Sequence, residues 1–141
     1  MIGLDTNVLV ARVIPEHPKH EWVTQRLAGL TAEGRHFAVT SVILSEFVHV
    51  VTDPKRFEKP LTMGEALHWA KFWSRTREVK LLALDAAAHM QWLTWLGAYK
   101  LGRKRLIDTL IAATWHTAGV REMITFNPED FKVLGVFEIL E

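Results

Sequence analysis

The chain contains no cysteine, which excludes disulfides, thiolate metal sites and cysteine nucleophiles together. No apolar run approaches the roughly 18 residues needed to span a bilayer, so no membrane association is expected. The N-terminus lacks a basic segment followed by a signal-like core. Met1 to Leu4 already reads as a strand, so no cleavable leader is expected and a cytoplasmic location fits. There are no internal repeats, no low-complexity segments and no linker long enough to divide the chain. A glycine-rich phosphate loop is also missing, which argues against an NTPase or a dinucleotide enzyme. Ser41 and Ser45 lack the glycine-flanked elbow of a hydrolase nucleophile. The formal net charge is only +1, so no global field draws the protein toward nucleic acid.

What remains is an ordinary globular composition, 49% hydrophobic and 23% charged over 141 residues, the size of a single domain covering residues 1–141. Short β-rich runs at Met1–Leu4, Phe37–Thr40, Val79–Leu84, Met123–Phe126 and Val136–Leu140 read as strands. Helical patterns fall near 6–14, 18–30, 41–52, 62–75, 85–98 and 107–118. Thr62 with Glu65 forms a capping-box pattern, Asp85 is a good N-cap, and Gly119 suits a left-handed helix closure. Strands separated by helices require crossover connections. The expectation is therefore an α/β fold: a three-layer α/β/α sandwich around a mostly parallel sheet of about five strands. Several strands are apolar at nearly every position, as strands covered on both faces should be.

Three acids stand out against this background. Asp5 ends the first apolar run, Asp108 opens an apolar helix, and Glu46 interrupts one: from Ser41 to Val51 only Ser41, Ser45, Glu46 and His49 are polar. Ligands of open parallel sheets bind beyond the carboxyl ends of the strands, where Asp5 lies and where Glu46 and Asp108, read as first-turn residues, can meet it. Carboxylates gathered from distant segments suit a hard cation such as Mg²⁺ or Mn²⁺, which activates water and offsets charge on a phosphodiester. Each acid also has a plain structural role open to it. Asp5 can cap the following helix, Asp108 can complement a helix dipole, and Glu46 can lie on a solvated face with Ser45 and His49.

Four segments in order resemble the PIN domain, in particular the small VapC-type toxins of toxin–antitoxin pairs. They are Leu4-Asp5-Thr6-Asn7-Val8-Leu9, Ser45-Glu46-Phe47, Asp108-Thr109-Leu110-Ile111-Ala112-Ala113-Thr114, and Ile124-Thr125-Phe126-Asn127-Pro128-Glu129-Asp130-Phe131. The resemblance implies a metal-dependent ribonuclease, with Asp5, Glu46 and Asp108 as metal-facing catalytic acids. It also implies a homodimer and a separate antitoxin protein as partner. Many relatives carry Asp where this chain has Asn127, an amide that offers a carbonyl oxygen but no charge. Asp130 either compensates or is a surface acid. Thr6, Asn7 and Thr125 are candidates to orient carboxylates or water, with packing and turn roles open to each. Arg103, Lys104 and Arg105 precede Asp108 and can hold RNA phosphates; a solvated loop is the alternative. The second reading of the chain, left open by Asn127, is a PIN-like module that binds RNA or protein without cutting.

Other features are read structurally. His17 and His20 flank Pro18 at a helix start and suit surface capping better than ligation. His49, His89 and His116 lack a suitably spaced second histidine. Trp69, Trp73, Trp92 and Trp95 form i, i+3 and i, i+4 stripes, which suit core packing or a subunit interface rather than base stacking.

Overall fold

In the computed structural model, which describes all of residues 1–141, the elements alternate as expected. They are β1 (Ile2–Leu4), α1 (Thr6–Val13), α2 (His20–Ala32), β2 (Phe37–Thr40), α3 (Ser41–Val51), α4 (Met63–Arg75), β3 (Val79–Leu82), α5 (Ala86–Ala98), a 3₁₀ turn (Arg103–Arg105), α6 (Leu106–Thr117), β4 (Glu122–Ile124), α7 (Glu129–Lys132) and β5 (Glu138–Ile139). The five strands form one sheet in the order β3-β2-β1-β4-β5, and every pairing is parallel. The chain leaves β1 toward β2 on one side and joins β4 on the other. The point where the order reverses lies beside β1, where ligands of such sheets bind.

Alternation along β1 separates the two helical layers. Leu4 lines a groove with Leu27 of α2 and Trp73 of α4. Gly3 points the other way, where a Cβ would stand only 2.8 Å from the Trp115 ring of α6. Trp115 is fully buried, and its Nε1 donates to the Ala38 carbonyl of β2 at 3.3 Å. The missing side chain of Gly3 is thus what lets α6 lie on the sheet.

The local signals act as read. Thr62 and Glu65 exchange both bonds of a capping box, Asp85 accepts from the Ala88 amide at 2.8 Å, and Gly119 follows α6 at φ +89°. Trp73 and Trp95 are core residues, while Trp69 and Trp92 are partly buried against that core.

Two expectations need correction, and one element was not expected. The run read as Val79–Leu84 pairs only to Leu82, and its middle residues Lys80 and Leu81 are exposed. As an edge strand it has one neighbour and lacks cover on both faces. Glu46 lies in the second turn of α3, not the first, because the helix begins at Ser41. The turn after Asn127 holds a short helix, α7, fixed by Phe131, which is 1% exposed and packs near Trp115.

Candidate metal and phosphodiester site

β1 ends at Leu4, and Asp5 caps α1 in extended geometry. The cap is made, and it leaves the acid facing the sheet edge. Oδ1 accepts from the Thr6 amide at 2.8 Å, and Oδ2 accepts from the Thr125 hydroxyl at 2.7 Å. Thr125 also accepts from the Asn127 amide at 3.0 Å, so its single proton is committed to Asp5. The Thr6 hydroxyl donates to Glu46 Oε1 at 3.1 Å. Asn7 Oδ1 accepts from the Phe126 amide at 3.3 Å and ties the turn after β4 to the start of α1. Thr6, Asn7 and Thr125 therefore hold the segments around Asp5 and Glu46 in register.

Asp5, Glu46, Asp108, Asn127 and Asp130 line one cavity of about 430 Å³, together with Thr6 and Asn7. Asp108 enters from the first turn of α6. Asp130 enters from α7, and its Oδ1 lies 2.8 Å from Arg105 Nη1. Burial is the largest influence on the three principal acids, and it raises each carboxyl above its ordinary range. Asp108 is pushed up to about 6, by desolvation first and then by the charges of Asp5 and Asp130, with Arg105 opposing. Glu46 is raised by burial and by Asp108, against the bond from Thr6.

This donor set fits a hard divalent cation. All the side-chain donors are oxygens, and the acids raise one another's carboxyls by repulsion that a cation relieves. In the present side-chain positions no three acids close on a single point. Asp5 is engaged by two donors, Glu46 by one, and Asp130 by Arg105. One oxygen of Asp130, Oδ1, faces Arg105.

The electrostatics make a prediction for the metal-free protein. The folded-state carboxyl of Asp108 binds its proton more tightly than the ordinary value of 3.8. Its contribution to stability is fully present below about pH 3.8 and is lost as pH rises through about 6. In EDTA, the Tm of the wild type is expected to fall relative to that of Asp108→Asn across this window, read by calorimetric scans at several pH values. Parallel Tm curves for the two proteins would contradict the assignment.

The basic segment is only partly at the site. Arg105 reaches Asp130, whereas Arg103 and Lys104 are exposed on the 3₁₀ turn and do not line the cavity. Besides Val10 and Val50, three residues that the sequence did not single out for the site line it: His17, Arg56 and Phe57. They come from the loops after α1 and α3, and no periodicity or spacing marks them. The Nδ1 of His17 accepts from the Lys19 amide at 3.0 Å, a local bond before α2 that is not a side-chain cap of that helix.

Residues 2–136 match the family described as PIN domain. Ribonuclease VapC24 of Mycobacterium tuberculosis is 26% identical over 135 residues, covering 96% of this chain and 92% of that protein. Among solved structures, M. tuberculosis VapC20, described as a sarcin–ricin loop cleaving toxin, superposes with a TM-score of 0.74 at 16% identity over all of both chains. The VapBC2 complex of Rickettsia felis, bound to a DNA fragment from its promoter, gives 0.68 at 20% identity, again over all of both chains. These two likenesses are of fold.

Proposed function

The chain belongs to the PIN-domain family, and from that premise we propose that it is a metal-dependent endoribonuclease, the toxin of a toxin–antitoxin pair. The single observation that carries this reading is the convergence of Asp5, Glu46, Asp108 and Asp130 on one cavity at the switch point of the sheet. The 26% identity to a ribonuclease along nearly the whole chain supports it. Asp5 and Asp108 are the principal ligands for Mg²⁺ or Mn²⁺, Glu46 completes the acidic wall, and Asp130 supplies the charge that Asn127 does not.

When bound, the cation provides Lewis-acid stabilisation of the phosphodiester and acidifies water. The protein's own groups do the rest. Thr125 and the Thr6 amide fix the carboxylate plane of Asp5, and the Thr6 hydroxyl aims Glu46. Arg103 and Lys104, exposed beside α6, hold flanking phosphates of the RNA. The partner is a cognate antitoxin protein, a reading supported by the toxin–antitoxin complexes of similar fold; the assembly is a homodimer and the location cytoplasmic.

Thr125→Val tests the positioning role. It removes the donor to Asp5 Oδ2 with little change in side-chain shape. Partners that orient metal ligands typically account for roughly 10–100-fold in affinity or activity, so cleavage should fall by about that factor while the far-UV spectrum is kept. Unchanged cleavage would assign Thr125 to the turn alone. The toxin role is tested by induction in a bacterial host. The wild type should arrest growth and Asp5→Asn should not; equal arrest by both would favour a binding module over a nuclease.

A further inference from the structure

The acids' cavity is also lined by residues of a different chemistry. His17 and Phe57 line both the acidic cavity and a neighbouring hollow of about 350 Å³ that also carries Lys59. They therefore border both spaces. The imidazole of His17 stacks on Phe126, with centroids 6.2 Å apart and planes 22° from parallel, and Trp22 meets Phe126 edge-on at 6.1 Å. Phe126 is itself held by its amide bond to Asn7, so the pair is tied to the turn that carries the acids. Arg56 lines the same cavity from the loop after α3. Its Nε lies 3.5 Å from Asp53, and its side chain is 59% exposed.

We propose that His17, backed by Phe126, is the stacking platform for one unpaired RNA base beside the scissile phosphate, and that Arg56 holds an adjacent phosphate. This rests on the ribonuclease reading and deepens it by assigning the part of the site that takes the nucleotide. Single-stranded RNA is recognised where a splayed base meets an aromatic face and a cation meets the backbone. Both line the same cavity as the acids. Burial, then His20 and Lys19, hold the imidazole below its ordinary value, which disfavours its charged form. With Nδ1 accepting from the Lys19 amide, the proton sits on Nε2, where it is free to donate to a base or sugar oxygen. Arg56 is the cation that lines the acids' cavity itself, whereas Arg105 is engaged by Asp130.

The test uses the full chain, a fluorescein-labelled ten-nucleotide RNA of random sequence, and Mn²⁺. Anisotropy in EDTA gives RNA affinity without cutting, steady-state cleavage in Mn²⁺ gives kcat and KM, and calorimetry gives Mn²⁺ affinity. His17→Ala should weaken RNA binding by at least about fivefold, the loss that roughly 1 kcal/mol of base stacking corresponds to, and raise KM while Mn²⁺ affinity is unchanged. His17→Phe should restore binding, and Arg56→Ala should weaken it and flatten its salt dependence. Unchanged affinity and KM in His17→Ala overturns the platform, as does failure of phenylalanine to rescue. If the wild type binds Mn²⁺ but neither binds nor cuts the RNA, the ribonuclease reading fails first and takes the subsite with it.

Discussion

Replacing Asp108 by asparagine is expected to lower RNA cleavage by roughly a hundredfold or more while making the metal-free protein more stable at neutral pH. The two effects share one cause. Asp108 is half-buried in the first turn of α6 and shares its cavity with Asp5, Glu46 and Asp130. Its carboxyl is pushed up to about 6 because burial and two neighbouring carboxylates oppose its charge. Asparagine keeps the shape, removes the repulsion and keeps an amide that can donate to Asp130. It also removes a ligand charge. Even residues that merely orient ligands account for about 10–100-fold, so loss of a ligand should cost at least the upper end of that range. Cleavage of labelled RNA and calorimetric Tm in EDTA, measured on the same preparation, read both effects. A variant that loses activity and stability together would mean that Asp108 holds the fold rather than the ion.

The second large effect is structural. Gly3→Ala is expected to lower Tm by roughly 10 °C, equivalent to about 3 kcal/mol for a chain of this size. The added Cβ would meet the Trp115 ring at 2.8 and 2.9 Å. Trp115 has nowhere to move. It is fully buried, its Nε1 is bonded to Ala38, and Phe131 and Phe137 flank it at 6.1 and 6.2 Å. The strain falls between β1, which carries Asp5 at its end, and α6, which carries Asp108 at its start. Gly29→Ala provides the contrast, since nothing lies within 4 Å of a Cβ there. In the interior of α2 it should raise stability by about 0.5–1 kcal/mol. Equal Tm changes in the two variants would show that α6 can shift away from the sheet.

Much of the fold and the first half of the site were legible in the sequence. Glu46 was legible because an acid in an otherwise apolar helix needs a reason. Asp5 and Asp108 were legible because each stands at an apolar boundary, and parallel strands bring such boundaries to one edge. Thr6 and Asn7 followed from their adjacency to Asp5, and Thr125 from its place in the fourth segment of the resemblance; Thr6 bonds Glu46, Thr125 bonds Asp5, and Asn7 bonds the Phe126 amide. The rest depended on tertiary contacts that no local pattern encodes. Asp130 reaches the cavity only because Phe131 is buried and fixes α7, a helix of 4 residues that is too short to show a period. Arg105 turns inward to Asp130 while its neighbours Arg103 and Lys104 do not, a distinction invisible in a basic run. His17 and Arg56 lie in loops, where neighbours in space are set by the helices on either side. The edge position of β3 shortened a run that composition alone extended to Leu84.

The measurement that bears most directly on the central claim is cleavage of a mixed RNA pool by the purified full chain, in Mn²⁺ or Mg²⁺ and in EDTA, beside Asp108→Asn. The acidic cavity predicts cleavage in either cation, none in EDTA, and little by the variant. Cleavage that persists in EDTA, or equal cleavage by wild type and Asp108→Asn, would contradict it.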